Sequence, residues 1–187
     1  MPLSAPAPRK LLHLRDIFIR GYEREDGLVD IEAHMTDTKS YAWENRDRGV
    51  MAPGVPLHDM WMRLTIDRKM VITAVDVAMD ATPHTACPGI APNYQRLVGL
   101  SIAKGFLKAA MAVLGGVEGC THLRELLQQV GTVAFQTMYS VRGHARPDDE
   151  RRQGIPPSLL NTCYAYGENG PLMARLRAET QAGELNT

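Results

Sequence analysis

Residues able to bind a metal or move a proton stand at three separated places in the chain: His58-Asp59, Cys87 and Cys120-Thr121-His122. Cysteine thiolate and imidazole suit zinc or iron, and a carboxylate can complete such a set. The metal ligands to expect are therefore His58, Asp59, Cys87, Cys120 and His122. Without a metal, His58 titrates near neutral pH and Asp59 stands beside it, which suits general acid–base catalysis. A cysteine opening a helix also feels the N-terminal dipole, which favours its thiolate. The bland alternative is that Cys87 and Cys120 are small buried hydrophobes and His58 a hydrogen-bonded structural histidine. No Cys-x-x-Cys is present, which excludes a zinc ribbon and a thioredoxin-type redox motif.

Two further catalytic candidates are Lys39 and Tyr22. A buried Lys39 would act as a Schiff-base or general-base lysine; otherwise it is a solvated strand end. Tyr22 stands with Arg24, Asp26 and Asp30 in a polar cluster whose plain reading is a hydrogen-bonded turn. His84, three residues before Cys87, is a spare ligand or a loop residue. His34 falls on the polar side of its strand, and His13 and His144 carry no partner signal. Gly115 to Gly119 is glycine-rich but lacks the Lys-Ser/Thr of a phosphate loop.

Two hairpins must position these residues. Leu11 to Arg20 reads as a strand with an irregularity near Asp16, and Glu25-Asp26-Gly27 as its turn. Val29, Ile31, Ala33 and Met35 then alternate with polar residues. A Gly/Pro-bearing loop runs from about Trp43 to Pro56. Met60, Met62, Leu64 and Ile66 form the next strand, and Asp67-Arg68-Lys69 turns into Val71, Thr73, Val75, Val77 and Met79. The period changes after the Pro83 to Gly89 connection. Tyr94, Leu97, Val98, Ile102, Phe106 and Leu107 predict one helix to about Leu114, stopped at Gly115-Gly116. A second helix begins near Thr121. The expected fold is α+β: an antiparallel sheet of two hairpins packed against two or more helices.

Composition bounds the rest. The 187 residues suffice for one well-buried core, with residues 1–8 a loose leader, 9–140 one domain and 141–187 a partly helical extension. Lys+Arg and Asp+Glu both number 21, which argues against non-specific attraction to nucleic acid or an anionic membrane. No apolar stretch approaches a membrane span, and the first eight residues do not form a signal peptide. The expected compartment is cytoplasmic. Three cysteines cannot all pair, so reduced thiols are expected. Ten methionines against three phenylalanines indicate a soft core or an adaptable apolar pocket.

Several segments closely resemble the bacterial family called domain of unknown function 2889. They are Gly21-Tyr22-x-Arg24-x-Asp26-Gly27-x-x-Asp30-Ile31-Glu32, Asp37-Thr38-Lys39, Pro56-x-His58-Asp59-Met60-Trp61-x-Arg63-Leu64-Thr65-Ile66-Asp67 and Gly119-Cys120-Thr121-His122-Leu123. The resemblance covers about residues 9 to 140. A weaker one is to NifU-type iron–sulfur scaffolds, which place ligands in the same order on a similar plan. Here His58 replaces the first cysteine, and the last pair becomes Cys-Thr-His. Fold likeness of this kind does not carry function with it.

The first family resemblance suggests bacterial catabolism of aromatic compounds. The expected activity is a lyase that breaks a C–C bond without an organic cofactor, for example by retro-aldol release of formaldehyde from a hydroxymethyl-bearing aromatic. A small aromatic molecule is the expected partner, zinc or iron the metal the donors would take, and homo-oligomerisation is compatible with the sequence. The second reading is a metal or iron–sulfur carrier without turnover. The third is a structural domain whose polar cluster only pins hairpins to helices.

Overall fold

Alternation of apolar and polar residues builds the sheet. In the computed structural model, which describes residues 3–144 and 159–184, β2 (Val29–Lys39) buries Val29, Ile31, Ala33, Met35 and Asp37 and turns the residues between them outward. Strand β5 (Pro56–Ile66) does the same with His58, Met60, Met62 and Leu64. These pair antiparallel in the centre, with β1 (His13–Glu23) and β6 (Ile72–Ala81) on the two edges, in the order β1-β2-β5-β6. The first turn uses Gly27 at φ 82°, a left-handed conformation that costs glycine little. The second turn is held by the Asp67 carboxylate, which accepts from the Lys69 and Val71 amides at 2.8 and 2.9 Å.

Helix α2 (Thr121–His144) covers the inner face of this sheet. Leu123, Leu126, Leu127, Val130, Ala134, Met138 and Val141 recur at three- and four-residue spacing and join the strand residues in one core. Each fully buried side chain of this size contributes roughly 1.5–3 kcal/mol. Helix α1 (Phe106–Leu114) adds Phe106, Ala110 and Leu114. Met35, Met60 and Met62 lie in the core, where the unbranched thioether fills irregular space. At Gly21 the helix and edge strand meet so closely that a Cβ would stand 1.9 Å from Thr137 Oγ1.

Four local expectations are corrected. Strand β1 pairs without interruption from His13 to Glu23, so there is no irregularity at Asp16. The Trp43 to Pro56 loop contains a small hairpin, β3 (Trp43–Asn45) with β4 (Gly49–Met51). In β6 a register shift brings Ile72 rather than Thr73 into the core, and Val71 instead bridges to Ser101. The single helix through Tyr94 and Phe106 is two elements: a 3₁₀ segment, Cys87–Leu97, and then α1. Pro88 and Pro92 cannot donate to a helical ladder, and Gly99 and Gly105 take φ values of 89° and 91° that break the helical path.

The chain divides into two compact units, residues 1–142 and 143–187. Within the second, α3 (Pro171–Glu184) is preceded by a turn in which Asn161 Oδ1 accepts from the Glu168 amide at 3.1 Å. No described helix is long and apolar enough to cross a membrane. His144 is the last residue of α2.

Candidate active site

The apolar stripe of the inner face changes to polar residues at one end of the sheet. Arg15, Asp37 and His58 face one another across β1, β2 and β5, one residue from each strand in a single row. Beyond that row the β2–β5 pairing shifts, between Asp37 and Thr38. His13 lies in phase with Arg15 two residues earlier. Above the row stand Cys120 and the start of α2, which brings His122 and Glu125.

Asp37 is the hub, and its side chain is fully buried. Its Oδ1 accepts from Arg15 Nε at 2.7 Å and lies 3.1 Å from His13 Nε2. Its Oδ2 accepts from Arg15 Nη2 at 2.8 Å and lies 2.8 Å from His58 Nδ1. Burial by itself would raise the carboxyl pKa. The hydrogen bonds from Arg15 and His58, with the Arg15 charge, outweigh it and hold the pKa down at about 2. Asp37 is therefore a carboxylate at neutral pH and can only accept. His58 Nδ1 must then carry the proton, which leaves its Nε2 as the basic lone pair.

The two site histidines are driven apart in basicity. His58 is buried, and its ring lies 3.8 Å from that of His122 at a tilt of 38°. Burial and the neighbouring His122 lower the His58 pKa against the opposing pull of Asp37. His122 moves the other way. Its Nδ1 lies 3.9 Å from Cys120 Sγ, and this thiol partner raises its pKa more than burial lowers it. Burial pushes the Cys120 thiol up, but His122 and the amides of Leu123 and His122 at the helix start bring it below its usual value. Tyr94 fixes this corner. Its buried hydroxyl donates to the Cys120 carbonyl and accepts from the Cys120 amide, both at 3.1 Å. Burial pushes the Tyr94 pKa up to about 12.

The family described as "Protein of unknown function (DUF2889)" matches residues 13–136, more than half of the chain. This chain belongs to the DUF2889 family. The matched stretch contains His13, Arg15, Asp37, His58, Tyr94, Cys120, His122 and Glu125 of this chain. No curated protein and no solved structure matches the chain, so the likeness to NifU-type scaffolds gains no support from either.

Of the residues singled out by type and spacing, this DUF2889 structure brings together His58, Cys120 and His122. Asp59 does not join them. It follows His58 on a strand, so it points through the other face of the sheet, where its Oδ1 lies 2.7 Å from His34 Nε2. His34 in turn stacks on Trp61 at 3.7 Å. Tyr22 lies at the far end of β1, paired with Asp30 and on the outer face. Cys87 opens the 3₁₀ segment, half-buried, and among the described residues it belongs to no group of three potential ligands. His84 is an exposed loop residue 3.3 Å from Asp47. Lys39 stays on the inner-face side of β2, opposite His13 and two cross-strand pairs beyond Arg15–Asp37, and donates to Tyr41 Oη at 3.2 Å.

Asp37, Arg15, His13, Glu125 and Tyr94 escaped a reading by residue type. A signal for three of them was present in the phase. Asp37 continues the buried alternation Val29, Ile31, Ala33, Met35, while His13 and Arg15 continue that of Ile17 and Ile19. A charged residue in phase with a core stripe requires a partner. A shallow cleft of about 250 Å³ lined by Phe18, Arg20, Glu32, His34 and Trp61 lies on the outer face, across the sheet from this chemistry.

Proposed function

We propose that this DUF2889 protein is a cytoplasmic small-molecule enzyme of aromatic-compound catabolism, a lyase that cleaves a C–C bond by acid–base catalysis. One observation carries the reading. A buried, Arg15-clamped carboxylate orients His58 as a base, beside a second histidine pushed toward its cationic form. Paired titratable groups whose environments separate their pKa values divide the roles of base and acid between them.

In the retro-aldol form of this chemistry, His58 Nε2 takes the hydroxyl proton of a substrate CH₂OH group. The O–H electron pair becomes the C=O of formaldehyde. The electrons of the breaking C–C bond pass into an acceptor conjugated with that carbon in the substrate, and cationic His122 returns a proton there. His58 ends protonated and His122 neutral, and one proton exchange between the adjacent rings restores both. The substrate itself must carry the acceptor. Purified protein incubated with hydroxymethyl-bearing aromatic compounds is expected to release formaldehyde in step with substrate loss. Turnover surviving in His58→Ala would remove His58 from the mechanism.

A metal carrier is the second reading, favoured by the ligand atoms of Asp37, His58 and His122 lying within 4.8 Å of one another. The donor set fits a metal poorly. Both Asp37 oxygens are engaged, by the Arg15 fork and by two histidines, and a cation there would meet the Arg15 charge. His58 has already committed Nδ1. Cys87 and Asp59, which would have completed the set, lie outside it. No step is therefore assigned to a metal.

A further inference from the structure

We infer that Lys39, Tyr41 and Trp43 form a subsite for an aromatic carboxylate beside the Asp37–His58–His122 site. The inference rests on the acid–base reading for what the subsite delivers, since it names the class of substrate that reading leaves open.

Lys39 is paired with His13 in the β1–β2 ladder, and His13 reaches Asp37. Directly opposed residues on one face have Cβ atoms about 5 Å apart. Lys39 therefore stands one row from the proposed chemistry. Arg15, the cation inside the site, is already paired with Asp37 and Glu125. Among the described residues Lys39 forms no ion pair. Its ammonium donates one proton to Tyr41 Oη, which leaves two ammonium protons and the Tyr41 hydroxyl proton to give. Three donors on two groups 3.2 Å apart suit the two oxygens of a carboxylate.

Aromatic surface surrounds the same ammonium. Lys39 Nζ lies 4.8 Å from the centre of the Trp43 ring and 5.3 Å from that of Tyr41. These cation–π contacts hold the long side chain in place before any ligand arrives. Tyr41 is exposed and Trp43 partly so, so a planar ring attached to the carboxylate can lie against them. Trp43 is kept in position by the β3–β4 hairpin, through its pairing with Met51, and the Lys39 carbonyl accepts from the Gly54 amide at 2.8 Å. This explains a feature the fold alone does not require, a structured hairpin inside the connection between β2 and β5.

Benzoate is the probe. The chain has two tryptophans, so in a Trp61→Phe background the fluorescence change on adding benzoate reports Trp43. Saturable quenching is expected. It should weaken about tenfold or more in Lys39→Met, as loss of a charge-assisted hydrogen bond implies, and return in Lys39→Arg. Benzamide lacks the charge and cyclohexanecarboxylate lacks the planar ring, and both should bind the unaltered site more weakly than benzoate. Absence of benzoate binding, equal binding of benzamide, or an unchanged benzoate affinity in Lys39→Met would each overturn the subsite. The benzamide comparison needs no change at Lys39, so it decides the matter even if Lys39→Met does not fold. A sound benzoate site without formaldehyde release would overturn the lyase reading alone, and turnover without a benzoate site would overturn the subsite alone.

Discussion

Asp37 and His58 meet at 2.8 Å across the β2–β5 ladder, in the last row before the pairing of the two strands shifts. Both belong to the buried face, so neither exchanges its partner for water. The carboxylate is fixed from its other side by Arg15, and Arg15 is fixed by Glu125 on α2 at 2.8 Å. An imidazole held by such a chain keeps one tautomer and one orientation.

Replacing Asp37 by Asn should therefore damage rate more than binding. An amide can donate to His58 Nδ1 and so favour the opposite tautomer, with the proton on Nε2. A fall in kcat of about 10²- to 10⁴-fold with KM little changed is expected. Steady-state formaldehyde release measures it, and an equal loss in kcat and in substrate affinity would argue against the orienting role.

The rate profile should be bell-shaped. Below its folded pKa, which lies under 6.5, His58 is protonated and cannot act as base; above its own, which lies over 6.5, His122 is neutral and cannot act as acid. Activity is thus lost at both ends, and Cys120→Ala should draw the alkaline limb toward neutrality by removing the partner that raises His122. A kcat against pH series on both proteins reads this directly.

Acid stability follows from Asp37. Its folded pKa of about 2 lies below the ordinary 3.8, so its contribution is fully present above about 3.8 and is lost as the pH falls toward 2. The difference corresponds to about 2 kcal/mol. Urea midpoints should fall through this window in the wild type, and the Asp37→Asn variant should show a shallower decline over the same range.

Gly21 tests the seat of the covering helix. A methyl group there would overlap the Thr137 side chain, whose hydroxyl already bonds back to the Val133 carbonyl at 2.8 Å. Gly21→Ala should cost about 1–3 kcal/mol, the range of overpacking. Thr137→Ala in the same chain should restore most of it. Thermal denaturation of the single and double variants gives the coupling.

Metal content separates the two functional readings. Protein purified without an affinity-tag metal and analysed for zinc and iron should hold far less than one equivalent, and chelation should leave the melting temperature unchanged. A stoichiometric ion lost together with His122→Ala would favour the carrier instead.

The alternating runs of β2 and β5 and the period change after Pro83 were enough to establish an α+β chain with two hairpins and later helices, because burial of one sheet face imposes a two-residue repeat. His58, Cys120 and His122 were visible as reactive types. What the sequence could not supply was register. Which residue of β2 faces His58 depends on cross-strand pairing, and a slip of one residue would put Thr36 or Thr38 in the place of Asp37. The helix break near Gly99, by contrast, was locally encoded in Pro92, Gly99 and Gly105. By itself, then, the sequence determined the elements and the set of reactive side chains. Only the tertiary structure decided that Arg15, Asp37, His58 and His122 share one end of one face, because interactions spanning as many as 110 residues of chain are specified by packing rather than by local pattern.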